Sequence, residues 1–543
     1  MQAAHRGPLP FWGAALCSVS LALPTGAQFV QQVLQPSDGQ SADFFGRYVA
    51  YDGQRMLVGA QQADAVADSS GAAYVLEQQA GLWVEVQKLA PLDLVAGARF
   101  GGVLDIEGDL AAVGTGSLGG PDDALYIYRR VGGTWVVDQK LAESSPGVEQ
   151  ASSVSIEDGR VYVGCSFGDG PVTESGSVHV YEDVGGVWTL TQSVHPDSLQ
   201  TGSRFGTSLV VRGERMLVGA PQHSVTHSAQ GAAWIYERVN GVWTEGDQLL
   251  AVPACSWSGF GWSVDLEGER ALVGAPWESC SSTFGEQHGA AYTFELASDS
   301  LAPTQRLSSH PSLWGWVEAF GADVALAGDQ LSVSAPTIPQ CPSGYVNVYA
   351  WSGSDWEAQG KLGSLSAPAC WDFTEGRLLG PDLLLVQIPG IQNGAPAGAL
   401  YFVDVAQLGA PFSAGATSVS LSAPQSVPFA INTQLYGPQQ FYALVLGSLT
   451  GTAPGVNLGA GLQLDLVPDA YTNLLLAAPN GATLNPGFQI LDDTGQGTLA
   501  FQLPSGLPIS LVGTSLHHAA LILESGSGAL VDVTPTVDLD LAP

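Results

Sequence analysis

The chain has 543 residues, 45% of them hydrophobic and only 13% charged, with 68 glycines. That length exceeds one ordinary core, and a Gly-rich, apolar composition fits many short strands joined by turns rather than a disordered chain. Acidic residues outnumber basic ones 51 to 17 for a net charge of −34, so neither nucleic acid nor an anionic membrane is expected as a partner.

Residues 1–27 read as a secretory signal peptide. His5 and Arg6 precede the apolar run FWGAALCSVSLAL, and LPTGAQ then supplies small residues for a cut after Ala27. The run is too short to span a bilayer, and Leu16 before Cys17 disfavours a lipid-anchored cysteine. No later segment reads as a membrane span. The expected location is therefore secreted or cell-surface. Outside the cytoplasm disulfides persist, and the mature chain has Cys165, Cys255, Cys280, Cys341 and Cys370. An odd count leaves at least one thiol unpaired or bonded to another molecule.

From residue 28 to about 408 one supersecondary unit recurs. A sixteen-residue register begins with FGRYVAYDGQRMLVGA at Phe45 and returns at Phe100, Gln150, Phe205, Phe260 and Phe320, with a weaker copy at Phe373. A spacing of roughly fifty to sixty residues is that of propeller blades rather than helical solenoids. The fourth copy breaks into FGTSLVV, an Arg-Gly turn, RMLVGA, a long loop, GAAWIYE, an Asn-Gly turn and VWTEGDQLL. Four antiparallel strands repeated radially make a β-propeller. The seventh copy lacks a fourth strand, while FVQQVLQP from Phe29 resembles the fourth strands WVEVQKLAP and WVVDQKLAE. A seven-bladed, all-β propeller closed by the N-terminal strand is expected.

Phe-Gly at the start of five of the seven units and Val-Gly-Ala-Pro at Val218–Pro221 and Val273–Pro276 resemble the FG-GAP repeat family. The resemblance covers roughly residues 29 to 405 and implies an integrin-α-like, seven-bladed propeller of the bacterial secreted type. Calcium-binding members carry a DxDxDG loop between the two motifs. Here that loop has shrunk to pairs such as Asp52-Gly53, Asp158-Gly159 and Arg212-Gly213, and one aspartate cannot supply six or more oxygen ligands. No cofactor or metal is expected.

Strand direction alternates, so all long loops share one face, the natural place for binding. Trp257, Trp277, Trp314 and Trp316 fall in loops of the fifth and sixth blades on that face. They suit stacking on a sugar or a protein partner, or else they plug gaps between blades. Cys255 with Cys280, and Cys341 with Cys370, are candidate disulfides, which leaves Cys165 as a buried thiol. His223 and His227 lack the glutamate and helix of a zinc motif and read as surface polar residues. No nucleophile motif, sialidase Asp-box series or paired-carboxylate motif is evident, so no catalytic residue is assigned.

Residues 409–543 change rhythm into TSVSLSA, FYALVLGSL, LQLDLV, GTLAFQLP and HAALILES, separated by turn residues. This predicts a small β-sandwich, similar to a C-terminal module of large secreted bacterial proteins. The chain therefore reads as a secreted, non-catalytic binding or adhesion protein for an extracellular glycan or protein. A structural envelope component and a polysaccharide-active enzyme are the rival readings.

Overall fold

The computed structural model describes residues 30–405 apart from eleven internal segments (41–42, 117–122, 143–150, 169, 280–288, 298–300, 309–316, 339–344, 364–374, 381–382 and 389–398), and beyond 405 only strands. Among the described residues the chain is all-β. Seven four-stranded antiparallel sheets build a seven-bladed propeller.

Blade 4 shows why these residues form these strands. Ser208–Arg212 pairs with Arg215–Ala220, then Ala232–Val239, then Val242–Leu249. The second strand, RMLVGA, is buried almost throughout because a middle strand has a neighbouring blade on each face, while the outer strand VWTEGDQL is mostly exposed. Asn240 (φ 53°) and Gly241 (φ 83°) take left-handed backbone in the last hairpin, as a tight turn between right-twisted strands requires. The first hairpin differs from the sequence reading by one residue: Arg212 pairs with Arg215, so the turn is Gly213-Glu214. Phe205 and Gly206 precede the inner strand rather than starting it.

Phe-Gly and Gly-Ala are joints between blades. Phe45, Phe100, Phe205 and Phe260 are each 1% exposed or less. They meet an aromatic of their own third strand edge-on, as in Phe45–Tyr74 at 5.4 Å and Phe260–Tyr292 at 5.5 Å. Burying each ring stabilises by about 1.5–3 kcal/mol. The glycines let two backbones touch. A Cβ on Gly219 of blade 4 would lie 1.9 Å from the carbonyl oxygen of Gly261 of blade 5. The same clash would arise between Gly59 and Gly101, Gly164 and Gly206, and Gly274 and Gly321.

Blade 7 consists of Glu375–Gly380, Leu383–Ile388 and Ala399–Asp404, and its outer strand is Val30–Leu34 from the N-terminus. Val33 pairs with Tyr401 and Leu34 with Leu400. The ring closes as the sequence implied.

After residue 405 the strands form other sheets. One joins Phe412–Ala414, Gln425–Asn432, Gln496–Leu503 and Leu484–Asn485. Another centres on Ser515–Glu524 and Phe441–Ser448. His517 and His518 lie in the former of these two central strands.

Candidate ligand-binding site

The tight-turn face is consumed by blade joints. Asp52 accepts a hydrogen bond from the Gly108 amide at 3.0 Å. Glu107 accepts from Asp158 and Gly159, Glu157 from Gly213, and Glu267 from Gly328. In each case the acid before the turn holds the turn of the next blade. These acids therefore staple neighbouring blades together. Among the described residues no group of three His, Cys, Asp or Glu side chains could hold a metal ion.

The central channel encloses a cavity of about 370 Å³ lined by Asp105, Asp265, Arg212 and Arg377 among others. Asp105 accepts the Ile156 amide at 2.6 Å, and burial pushes its carboxyl up to about 6. Burial also raises Asp323. Burial opposes the charge on Arg377, but Asp323, Asp265 and Asp105 together favour it. The carboxylates partly neutralise one buried cation, and none is paired with a nucleophile.

On the loop face Asp93, Asp38 and Glu278 are each held by a tyrosine and a basic side chain. Burial raises the Asp93 carboxyl, but bonds from Lys140 at 2.6 Å and Tyr126 at 3.0 Å outweigh it and hold the carboxyl low. Asp38 is held in the same way by Lys88 and Tyr74. In blade 5 the buried Glu278 takes this place, bonded by Tyr292 and Arg306.

What projects from this face at blade 5 is aromatic. Trp257 lies in the connection from blade 4 and is 66% exposed. Trp277 follows the second strand, Arg270–Ala275, and is half-buried. Backbone bonds align the segments: Trp257 donates to Ser228 at 2.9 Å, and Trp277 to Ser258 at 3.2 Å. Gly259 is glycine because the Trp277 indole lies over it, where a Cβ would come within 2.5 Å of the ring. Trp277 meets Trp262 with centroids 4.4 Å apart and planes at 67°.

The structure thus brings Trp257 and Trp277 to one place and adds Trp262, which the sequence reading missed. Its signal was positional: the residue after Phe-Gly is Arg47, Gly102, Thr207 or Ala322 in other blades. Trp314 and Trp316 lie outside the described residues, as do Cys280, Cys341 and Cys370. Cys255 is buried, and its pairing with Cys280 stays a proposal. Cys165 is a buried thiol at the end of the second strand of blade 3.

One histidine reading is corrected. His223 is 3% exposed, packed against Trp234 at 5.1 Å and bonded to Ser203, and burial lowers its pKa. It fills the site that Glu278 occupies in blade 5, three residues after the second strand. His227 is exposed, as expected.

The FG-GAP repeat family model matches residues 29–76 and 243–294. The second segment contains Trp257, Trp262 and Trp277. No curated protein matches the chain. Among solved structures, Sqt1 of Saccharomyces cerevisiae is 10% identical, with a TM-score of 0.38 over 67% of this chain and 97% of its own. The β-propeller domain of the Trilobed protease from Pyrococcus furiosus is 9% identical, with a TM-score of 0.40 over 68% and 98%. The seven four-stranded sheets make the chain a seven-bladed β-propeller, similar to FG-GAP repeats over these two segments.

Proposed function

We propose that this chain is an exported, non-catalytic binding protein that presents the loop face of its propeller to an extracellular glycan or protein ligand, with adhesion as the outcome. The observation that carries the reading is the exposure of Trp257 beside the Trp262–Trp277 pair, on a face whose strands are fixed by the blade joints. Exposed indoles present a large apolar surface with a polar N–H, which suits stacking on sugars or on a protein. Support for a non-catalytic role comes from the acids described above, which hold backbone amides, lysines, arginines and tyrosines in place. The reading needs no cofactor. The C-terminal strands would serve as a β-sandwich spacer or anchor.

The test is a binding screen of the signal-free protein against polysaccharide and extracellular-protein arrays, with a Trp257→Ala, Trp277→Ala variant alongside. A ligand bound by the parent and lost by the folded variant supports the reading. A ligand retained by the variant places binding elsewhere, and the absence of any ligand contradicts the reading.

A further inference from the structure

Trp257 occupies a glycine position. Three residues before their Phe-Gly, blades 2 and 4 carry Gly97 and Gly202, both at φ 77°. Blade 5 carries Trp257 there at φ 62°. A bulky side chain in left-handed backbone is a genuine outlier, and such strain gathers where function holds it. The indole gains no burial in return, since it is 66% exposed.

The loops around it are also unlike those of blades 1 to 3. Residues 221–230 (PQHSVTHSAQ) and 250–263 (LAVPACSWSGFGWS) contain no Asp, Glu, Lys or Arg. The matching loops of earlier blades carry charge, with Asp64 and Asp68 in blade 1, Asp93 and Arg99 before blade 2, and Asp197 and Arg204 before blade 4, whereas residues 336–344 and 389–398 of blades 6 and 7 carry none. The loop 276–289 holds two charged residues, Glu278, buried against Tyr292 and Arg306, and Glu286, which lies outside the described residues. Thr226, Ser228 and Ser256, in these loops, are exposed. On a chain of net charge −34, a described patch of indoles and hydroxyls without exposed charge matches a ligand that has apolar faces, hydroxyls and no charge.

Resting on the proposed binding role, we infer that Trp257, Trp262 and Trp277 form a platform for an uncharged polysaccharide. Sugar faces stack on the indoles, and sugar hydroxyls exchange hydrogen bonds with Thr226, Ser228 and Ser256. Because no ion pair is made, the affinity is insensitive to salt.

The experiment compares the parent with Trp257→Gly and Trp262→Ala on uncharged glucans and mannans, anionic alginate and cationic chitosan, at low and high salt. Trp257→Gly restores the residue that blades 2 and 4 use. It is expected to fold with a raised unfolding midpoint and to bind the uncharged polymer on the order of tenfold or more weakly. Trp262→Ala is expected to weaken the same binding. Binding restricted to charged polymers, affinity that falls with salt, unchanged binding by Trp257→Gly, or failure of that variant to fold would each overturn the inference. Binding of a protein but no glycan would overturn it while leaving the broader role standing, and no binding at all would sink both.

Discussion

Gln32 clasps Trp83: its side-chain amide donates to the Trp83 carbonyl at 2.7 Å and accepts the Trp83 amide proton at 2.8 Å. The same two-bond clasp joins Gln87 to Trp135, Gln139 to Trp188, Gln192 to Trp243 and Gln305 to Trp356, each from one blade's outer strand to the next. The N-terminal strand therefore uses the joint that the other blades use. Replacing Gln32 with Ala leaves both Trp83 backbone groups without their partner and is expected to cost about 1–3 kcal/mol. Equilibrium urea unfolding measures this, and an unchanged midpoint would show that the ring does not depend on the clasp.

The glycine joints set a sharper contrast. Gly219→Ala drives a methyl into the Gly261 carbonyl and into Ser208 Oγ, 2.4 Å away. The blades must separate to admit it, at an expected cost of about 3 kcal/mol. Gly380→Ala meets nothing within 4 Å and is expected to be near neutral. Equal effects of the two substitutions on thermal unfolding would contradict backbone contact as the reason for the motif.

Asp105 and Asp93 predict opposite responses to pH. The Asp105 carboxyl titrates at about 6 when folded, above its ordinary 3.8, because burial penalises its charge. As pH falls, the folded state takes up this proton before the unfolded state does. Asp105 therefore costs stability above pH 6, and the cost fades as pH drops toward 3.8. Asp105→Asn, which keeps an acceptor for the Ile156 amide, is expected to be more stable than the parent above pH 6 and equal to it near pH 4. Asp93 is held below 3.8, so its contribution is present above that pH and lost as pH falls through the folded value. Asp93→Asn is expected to be less stable at neutral pH, with the deficit vanishing in acid. Urea midpoints across pH check both signs.

Peptide mapping of the non-reduced protein is expected to join Cys255 to Cys280 and Cys341 to Cys370 and to leave Cys165 as a thiol. Burial of Cys165 at 1% exposure agrees with that assignment. A bridge involving Cys165 would overturn it.

The blades were readable because their chemistry is local and repeated. A Phe-Gly, a tight turn and a Gly-Ala recur in fixed register, and the missing outer strand appeared at the other end of the chain. The joints were harder to read. Gln32 and Trp83 are polar and aromatic residues on outer strands, and nothing in either strand alone says that they meet across a blade boundary. His223 misled because a histidine in a Ser- and Thr-rich loop looks solvated, while the fold tucks it against Trp234. Trp262 was hidden by its neighbours, since Phe-Gly-Trp reads as the start of a buried strand. Only the path of the Ala275–Trp277 segment brings a second indole onto it.

The central claim is binding without turnover at the loop face. The most direct measurement incubates the protein from residue 28 onward with its best-bound polysaccharide and follows saturation and polymer chain length together. The account predicts saturable binding, abolished in the Trp257→Ala, Trp277→Ala variant, with chain length unchanged. Shortening of the polymer by the parent protein would contradict it and make the loop face an active site.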